Sequence, residues 1–476
     1  MWGVGDLGPS AFRFLDLLEA GKQSIWQILP LTPVARHGSP YSAHSLFGGN
    51  TLLLSPEKLV EDGYLHQLPD RPLGVNERIV DFGMGLEFKD RLVQAAFKEC
   101  GARVLQEKEC SEFRDRNSHW LDDFALYVAI SKELGAPWYE WPEGLRRRER
   151  STLEEKRVRL GTVVNTIIFS QFLFERQWRS LQEYARSKGI MVLGDLPFYV
   201  LQDSADIWAH RELFKVDADG RALFVGGVPP DYFSSTGQRW GNPVYDWQRL
   251  DATGYDWWEK RVRRSLEFAD MLRLDHFRGY VAYWEIPASS PTAVEGSWVE
   301  LPTTFLEFVK TTFPGLPFLA EDLGLITKDV VKARELLGIP GMRVLQFAFN
   351  GSPDNIHLPT NHVPNSFAYT GTHDTNTVRG WYEEEASSKE KEVLAKFLGH
   401  EVTPEGVAWD LISVALGSSS MASIIPLQDL LGLGSQARMN NPATLYGNWR
   451  WRASGEDLRE DLFGKLGDQT ATCGRD

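Results

Sequence analysis

The chain has 476 residues, a formal net charge of −14, 42% hydrophobic and 24% charged residues. That balance fits a globular protein built as one large domain with insertions, or as two to three domains. The acidic surplus argues against nucleic acid and anionic membrane surfaces as partners, and no apolar run approaches the ~18 residues of a membrane span.

In chain order, the first feature is Gly3-Val4-Gly5-Asp6-Leu7-Gly8, which fits G-x-G-x-x-G. A dinucleotide loop needs a strand before it and a carboxylate after the next strand. Only Met1 and Trp2 precede Gly3, and the next strand-like run, Ser24 to Leu29, ends in Pro30-Leu31-Thr32. The nucleotide reading is therefore rejected. Residues about 50 to 165 read as mostly helical, with Leu121 to Leu134 clearly amphipathic and Arg146 to Arg150 as a solvated helix face. Asn165 to Lys188 has helical periodicity and leads into the second strand-like run, Ile190 to Leu193. Residues about 201 to 265 read as loop-rich and aromatic. Further strand-like runs are Met271 to Leu274, Phe318 to Ala320, Met342 to Phe349 (after a helix at Asp329 to Leu337), Ser366 to Tyr369 and Met421 to Pro426. The tail after about Gly467 reads as frayed.

Strands alternating with helices predict a parallel α/β sheet, and polar residues gathered after the strands predict a (β/α)₈ barrel with its site at that end. Seven such strands are visible, one short of closure. The expected organisation is a single catalytic barrel over 1–476, with a helical insertion at 50–165 and an aromatic, loop-rich insertion at 201–265 covering the site. The 17 Trp, 26 Phe and 14 Tyr exceed what a core needs, and flat rings beside Gly-rich loops suit stacking on sugars. Cys100, Cys110 and Cys473 show no metal spacing, so free thiols in a reducing compartment are expected. The N-terminus lacks the layout of a signal peptide.

The chemistry gathers after three strands. In MLRLDHFRG, Arg273 and Asp275 are two apart and face the same side of a strand, and the guanidinium keeps the carboxylate ionised, as a nucleophile needs. A structural ion pair would look the same in isolation. Glu321 in FLAEDLG can serve as a general acid if a partly apolar pocket raises its pKa; Asp322 better suits a helix first turn. His373 and Asp374 in TGTHDTNT fit a metal pair, a base with its orienter, or a clamp on sugar hydroxyls; metal is disfavoured because no second histidine lies at helical spacing. Two carboxylates at a barrel mouth are the equipment of retaining glycosidase chemistry. Ser39, Tyr41 and His44 in GSPYSAHSLFGGN, and Asp231, Trp240 and Asn242 in GGVPPDYFSSTGQRWGNPVYDW, are candidate contacts or turn residues.

Together with GDLPFYV and RMNNPATLYGNWRWR, these motifs resemble the 4-α-glucanotransferases, the amylomaltase or disproportionating-enzyme family of the α-amylase clan, from Gly3 to about Leu466. The resemblance implies a (β/α)₈ barrel acting without cofactor or metal on α-1,4-glucans, in the disproportionation of maltooligosaccharides during starch or glycogen metabolism. It implies Asp275 as nucleophile, Glu321 as acid/base and Asp374 as the carboxylate that holds the distorted sugar. Arg273 matches the residue orienting the nucleophile, His373 a hydrogen-bonding group at the reacting sugar, Tyr41 and Trp240 aromatic contacts, and Asp231 the loop over the acceptor side; Ser39 and Asn242 are further candidate sugar contacts. Ala443 stands where the family usually has Gly. The expected location is the bacterial cytoplasm, or a plastid for a plant or algal source. The family's first barrel strand precedes its GVGDLG loop, so an enzyme starting at Met1 is expected to lack that strand and to fold poorly or lose activity. Competing readings are an α-glucan hydrolase using the same residues, an inactive glucan-binding remnant, and a metal-dependent phosphohydrolase built on His373 and Asp374.

Overall fold

A computed structural model describes residues 2–35, 38–230, 234–442, 444 and 446–475. Among the described residues eleven strands form two sheets: β1 (Ile25–Gln27), β2 (Met191–Leu196), β3 (Phe224–Val228), β4 (Gln238–Pro243), β5 (Met271–Leu274), β6 (Ala282–Pro287), β7 (Ser297–Glu300), β8 (Phe318–Ala320), β9 (Gly341–Val344), β10 (Ser366–Tyr369) and β11 (Ala422–Ile424). The main sheet is all parallel with the order β1-β2-β5-β8-β9-β10-β11. Its seven members coincide with the seven runs read from the sequence, although the fifth stops at Val344 and turns into a short 3₁₀ segment at Leu345–Phe347. The sheet curls as a (β/α)₈ barrel lacking one strand. Leu193, Leu319, Met342, Val344, Phe367 and Tyr369 fill its interior. β5, β8, β9 and β10 are buried along nearly their whole length, as strands covered on both faces must be. At the two ends of the order, β1 and β11 are only half-buried.

The helix Gly161–Ser187 is 27 residues long and packs Ile168, Phe169, Phe172 and Leu173 inward. Two of its polar residues set the loop after β1. Gln171 exchanges hydrogen bonds with the backbone of Gly49 (2.7 and 2.9 Å), and Gln177 does so with Ser55 (2.7 and 3.1 Å). Buried loop amides need such partners, and these glutamines supply them in place of water.

The glycine-rich opening feeds the helix Pro9–Ala20, with Pro9 in its first turn. The amide of Gly8 is taken by Asp6 Oδ1 at 3.1 Å, and a Cβ on Gly8 would meet Ser55 Oγ at 2.4 Å. Gly8 serves a tight passage and Gly3 holds a left-handed φ of 85°, whereas a Cβ on Gly5 would meet nothing within 4 Å.

Several expectations are corrected. Residues 201–265 hold more than loops: β3 and β4 join β6 and β7 in an antiparallel sheet of order β4-β3-β6-β7. Gly226 and Gly227 hide β3 from a propensity reading, yet a Cβ on Gly227 would come within 2.1 Å of the Gln238 carbonyl, so the pairing needs glycine there. The tail is ordered as the helix Glu460–Thr472, which buries Leu462, Phe463 and Leu466. Arg148 is not simply solvated: it pairs with Asp123 at 2.8 Å and lies 4.2 Å over the Trp208 ring. Asp322 is not a first-turn acid, because the next helix starts at Lys328; it accepts from the Met342 amide at 2.7 Å and faces Arg334 and Arg343.

Candidate active site

The site is assembled from the C-terminal ends of the parallel strands. Asp195 in β2 and Arg273 in β5 are register partners, so the pleat turns both side chains to the same face. Arg273 Nη1 donates to Asp195 Oδ2 at 2.6 Å and lies 3.2 Å from Asp275 Oδ1, just past the end of β5. One buried guanidinium is thereby shared between two carboxylates. Burial alone would lower its pKa, but Asp195, Tyr41 and Asp275 hold it charged. Burial pushes the Asp195 carboxyl up, while Arg273 opposes it.

Glu321 follows β8 directly. Its Oε2 accepts from the backbone amide of His276 at 2.7 Å, which ties the end of β8 to the turn after Asp275. His276 holds a left-handed conformation, φ 49°, and this conformation presents its amide there. Burial, opposed by Arg273 and reinforced by the Asp275 charge, pushes the Glu321 carboxyl up to about 8. It is therefore mostly protonated at neutral pH, as a proton donor must be.

Asp374 follows β10 and sits in the opposite environment. Burial would raise it, but His373 Nε2 at 3.4 Å and the Asn440 side-chain amide, donating at 2.7 Å, hold it well below the usual carboxylate range. Arg438 donates to the Asp374 carbonyl at 3.0 Å, and the Asn440 amide to the His373 carbonyl at 2.9 Å. Tyr41 completes the group from the loop after β1. Its hydroxyl donates to Asp195 Oδ2 at 2.7 Å and lies 3.0 Å from His373 Nε2. Its ring stacks on His373 at 5.3 Å, and Trp449 packs against both.

Of the residues singled out from sequence, the structure brings together Asp275, Glu321, Asp374, Arg273, His373 and Tyr41. Trp240 is 38% exposed on β4, with its ring 4.9 Å from that of His276, so it stands as a wall beside the Asp275–Glu321 turn. Asn242 is turned to another use: its side chain donates to the Val200 carbonyl at 3.0 Å and anchors β4. His44 likewise bonds the Asp203 carbonyl. Ser39 lies in the turn leading to Tyr41, with its carbonyl accepting from Ser42. Asp231 and Ala443 lie outside the described residues. Sequence reading missed Asp195 and Asn440. Asp195 had one usable signal: it is the penultimate residue of its strand, as Arg273 is of β5.

The comparisons with known proteins agree with this geometry. A family profile described as 4-alpha-glucanotransferase matches residues 1–458. The chain is 45% identical to the 4-alpha-glucanotransferase of Aquifex aeolicus over 98% of this chain and 94% of that one. It is 42% identical to the chloroplastic/amyloplastic enzyme of Solanum tuberosum, over 100% and 84%. Among solved structures, amylomaltase from Streptococcus agalactiae in complex with acarbose superposes with a TM-score of 0.94 at 34% identity, covering 99% and 96% of the two chains. Three strand-end carboxylates in contrasting electrostatic settings, on a barrel that matches these relatives along nearly its whole length, place the chain in the 4-alpha-glucanotransferase family.

Proposed function

We propose that this 4-alpha-glucanotransferase moves a segment of an α-1,4-glucan to the 4-OH of glucose or another glucan by a retaining double displacement. The observation that carries the reading is the contrast between Glu321, raised to about 8, and Asp275, set against the Arg273 guanidinium at 3.2 Å. In the first step an Asp275 carboxylate oxygen bonds to the anomeric carbon as the bond to the departing 4-oxygen breaks. The Glu321 proton passes to that oxygen. Esterification removes the Asp275 charge, whose repulsion helps to keep Glu321 protonated. The Glu321 pKa therefore falls once the ester exists, and the carboxylate becomes a base. In the second step the acceptor 4-OH gives Glu321 its proton, bonds to the anomeric carbon and releases Asp275.

Asp374 is the stabiliser in this scheme. Held ionised by His373 and Asn440, it offers a permanent negative charge and hydrogen-bond acceptor to the sugar carrying the developing cation. Tyr41 and His373 form the wall against which that sugar packs, and Trp240 a platform on the acceptor side. Ser39 and Asp231 are further candidate glucan contacts. The barrel is the catalytic unit; the helical 50–165 segment and the 201–265 segment are insertions upon it. The three cysteines are free, which fits a reducing cytoplasm; among the described residues no helix is long and apolar enough to cross a membrane.

Incubation with maltotriose tests the reading. Transfer gives glucose together with maltopentaose and longer chains; glucose and maltose alone mean hydrolysis and overturn it. Glu321→Gln is expected to leave natural glucans nearly unreactive yet still to be labelled by glucosyl fluoride, whose leaving group needs little acid help. Label on Asp374 or Asp322 in place of Asp275 shows the nucleophile to be misassigned.

A further inference from the structure

On the outside of the barrel, two helices enclose a cavity of about 330 Å³. That lies within the roughly 300–1,000 Å³ of small-molecule pockets. One wall is the C-terminal part of the helix Gly161–Ser187, and the other is the end of the helix Asp256–Phe268. Asp270 fixes its place in the fold. Its Oδ2 takes the Val192 amide at 2.8 Å, near the start of β2, and its Oδ1 takes Arg186 from the cavity wall. The cavity therefore sits by the N-terminal ends of β2 and β5, whereas Asp275 follows the C-terminal end of β5.

The side chains say what kind of group this space fits. Arg179, Gln182, Glu183 and Arg186 recur at three- and four-residue spacing and so share one face of the longer helix. Two of them are already fixed: Arg179 donates to Glu175 at 3.0 Å, and Arg186 donates Nε and Nη2 to Asp270 at 3.0 and 2.8 Å. The other two are unspent. Gln182 is 3% exposed and its Nε2 has no hydrogen-bond partner, a cost that buried amides seldom carry. Glu183 is exposed and makes no ion pair or side-chain hydrogen bond among the described residues. Leu266 and Phe268 add apolar surface from the other helix. The lining sets three arginines against three glutamates, so it favours neither an anion nor a cation. An unspent donor, an unspent acceptor and an apolar strip without net charge fit a neutral, polyhydroxylated ring.

We propose that this cavity is a second glucan site, which holds about one or two glucose units of a long α-1,4-glucan on the side of the barrel away from the reacting groups. Gln182 donates to a sugar oxygen, Glu183 accepts from a sugar hydroxyl, and the C–H face of the ring rests on Leu266 and Phe268. A chain held there stays attached while its free end reaches the catalytic cleft, so long glucans gain and short ones do not. The ligand class rests on the transfer reading above, but the cavity takes no part in that chemistry.

Crystals of the Glu321→Gln protein soaked in maltotetraose test the site, with the concentration raised until the catalytic cleft is filled. The expected result is sugar between Gln182 and Phe268 as well; a filled cleft beside an empty cavity overturns the proposal. Kinetics on the full chain give a second readout. Gln182→Leu removes an amide that has no partner, so the fold is expected to lose nothing. Glu183→Ala changes only an exposed side chain. Each variant is expected to raise the KM for amylose at least about fivefold and to leave kcat/KM for maltotriose within about 1.5-fold of the parent. An unchanged KM for amylose, or an equal loss on both substrates, overturns the proposal. Hydrolysis of maltotriose by a protein whose cavity fills supports the site and overturns the transfer reading alone, so the two fail independently.

Discussion

Asp195→Asn is the most informative single change in the site. The Asp195 side chain is fully buried and accepts from both Arg273 (2.6 Å) and the Tyr41 hydroxyl (2.7 Å). Both bonds land on Oδ2, whereas Oδ1 is buried without a partner, so asparagine can set its carbonyl oxygen in the Oδ2 position and keep both acceptor contacts while removing the charge. Removing one partner of a buried ion pair costs about 3–5 kcal/mol. Arg273 retains Asp275 at 3.2 Å as a second counter-ion, so the loss belongs at the lower end, about 3 kcal/mol. Function suffers by a separate route. With Asp195 neutral, Arg273 gives its whole field to Asp275, which makes that carboxylate a poorer nucleophile. We expect kcat/KM for maltotriose disproportionation to fall about 100-fold, equivalent to ~2.7 kcal/mol in the barrier. Urea unfolding measures the first quantity and glucose release the second. A variant within threefold of the parent in kcat/KM and within 0.5 kcal/mol in stability would refute the idea that Asp195 divides the charge of Arg273.

Three further outcomes are expected. Glu321 is raised from an ordinary 4.5 to about 8, so between those values the folded protein binds a proton that the unfolded chain has lost; stability therefore falls as pH rises from about 4.5 to 8. Glu321→Gln removes that dependence, and thermal unfolding should find the variant more stable than the parent at pH 8 but little changed at pH 5. Asn440→Ala takes a 2.7 Å donor from Asp374 and should cut kcat by about tenfold, with initial rates on maltotriose as the check. Trp240→Ala should raise the KM for glucose as acceptor by several-fold and shift products toward hydrolysis, read from the ratio of maltopentaose to maltose.

What could be read in the sequence divides along physical lines. The seven parallel strands were legible because each is a short apolar run closed by polar residues, as burial on both faces dictates for the inner strands. Asp275, Glu321 and Asp374 were legible for the same reason, each lying within a few residues of a strand end. Asp195 was harder, because its meaning is a lateral one: it matters through register with Arg273, 78 positions later. Asn440 lies in an irregular segment and acts on a residue 66 positions earlier, so no periodicity announces it. β3 escaped because its two glycines lower strand propensity, although close backbone approach is what demands them. Asn242 erred the other way: its polar side chain in an aromatic loop looked like a sugar contact, and the structure gives it to a backbone carbonyl.

The stack of Tyr41, His373 and Trp449 draws on positions near both ends of the chain, as does the pairing of Val80 with Arg450. During synthesis, therefore, Asp374 emerges well before Arg438 and Asn440, whereas Asp275 and Glu321 follow the Arg273 and Asp195 that set them. Until Arg438 and Asn440 leave the ribosome, Asp374 lacks the donors that fix its orientation. At roughly 5–20 residues per second, the nascent protein spends several seconds with Asp374 made but not yet held by Asn440. The last stretch of translation therefore supplies the two donors that fix the third carboxylate.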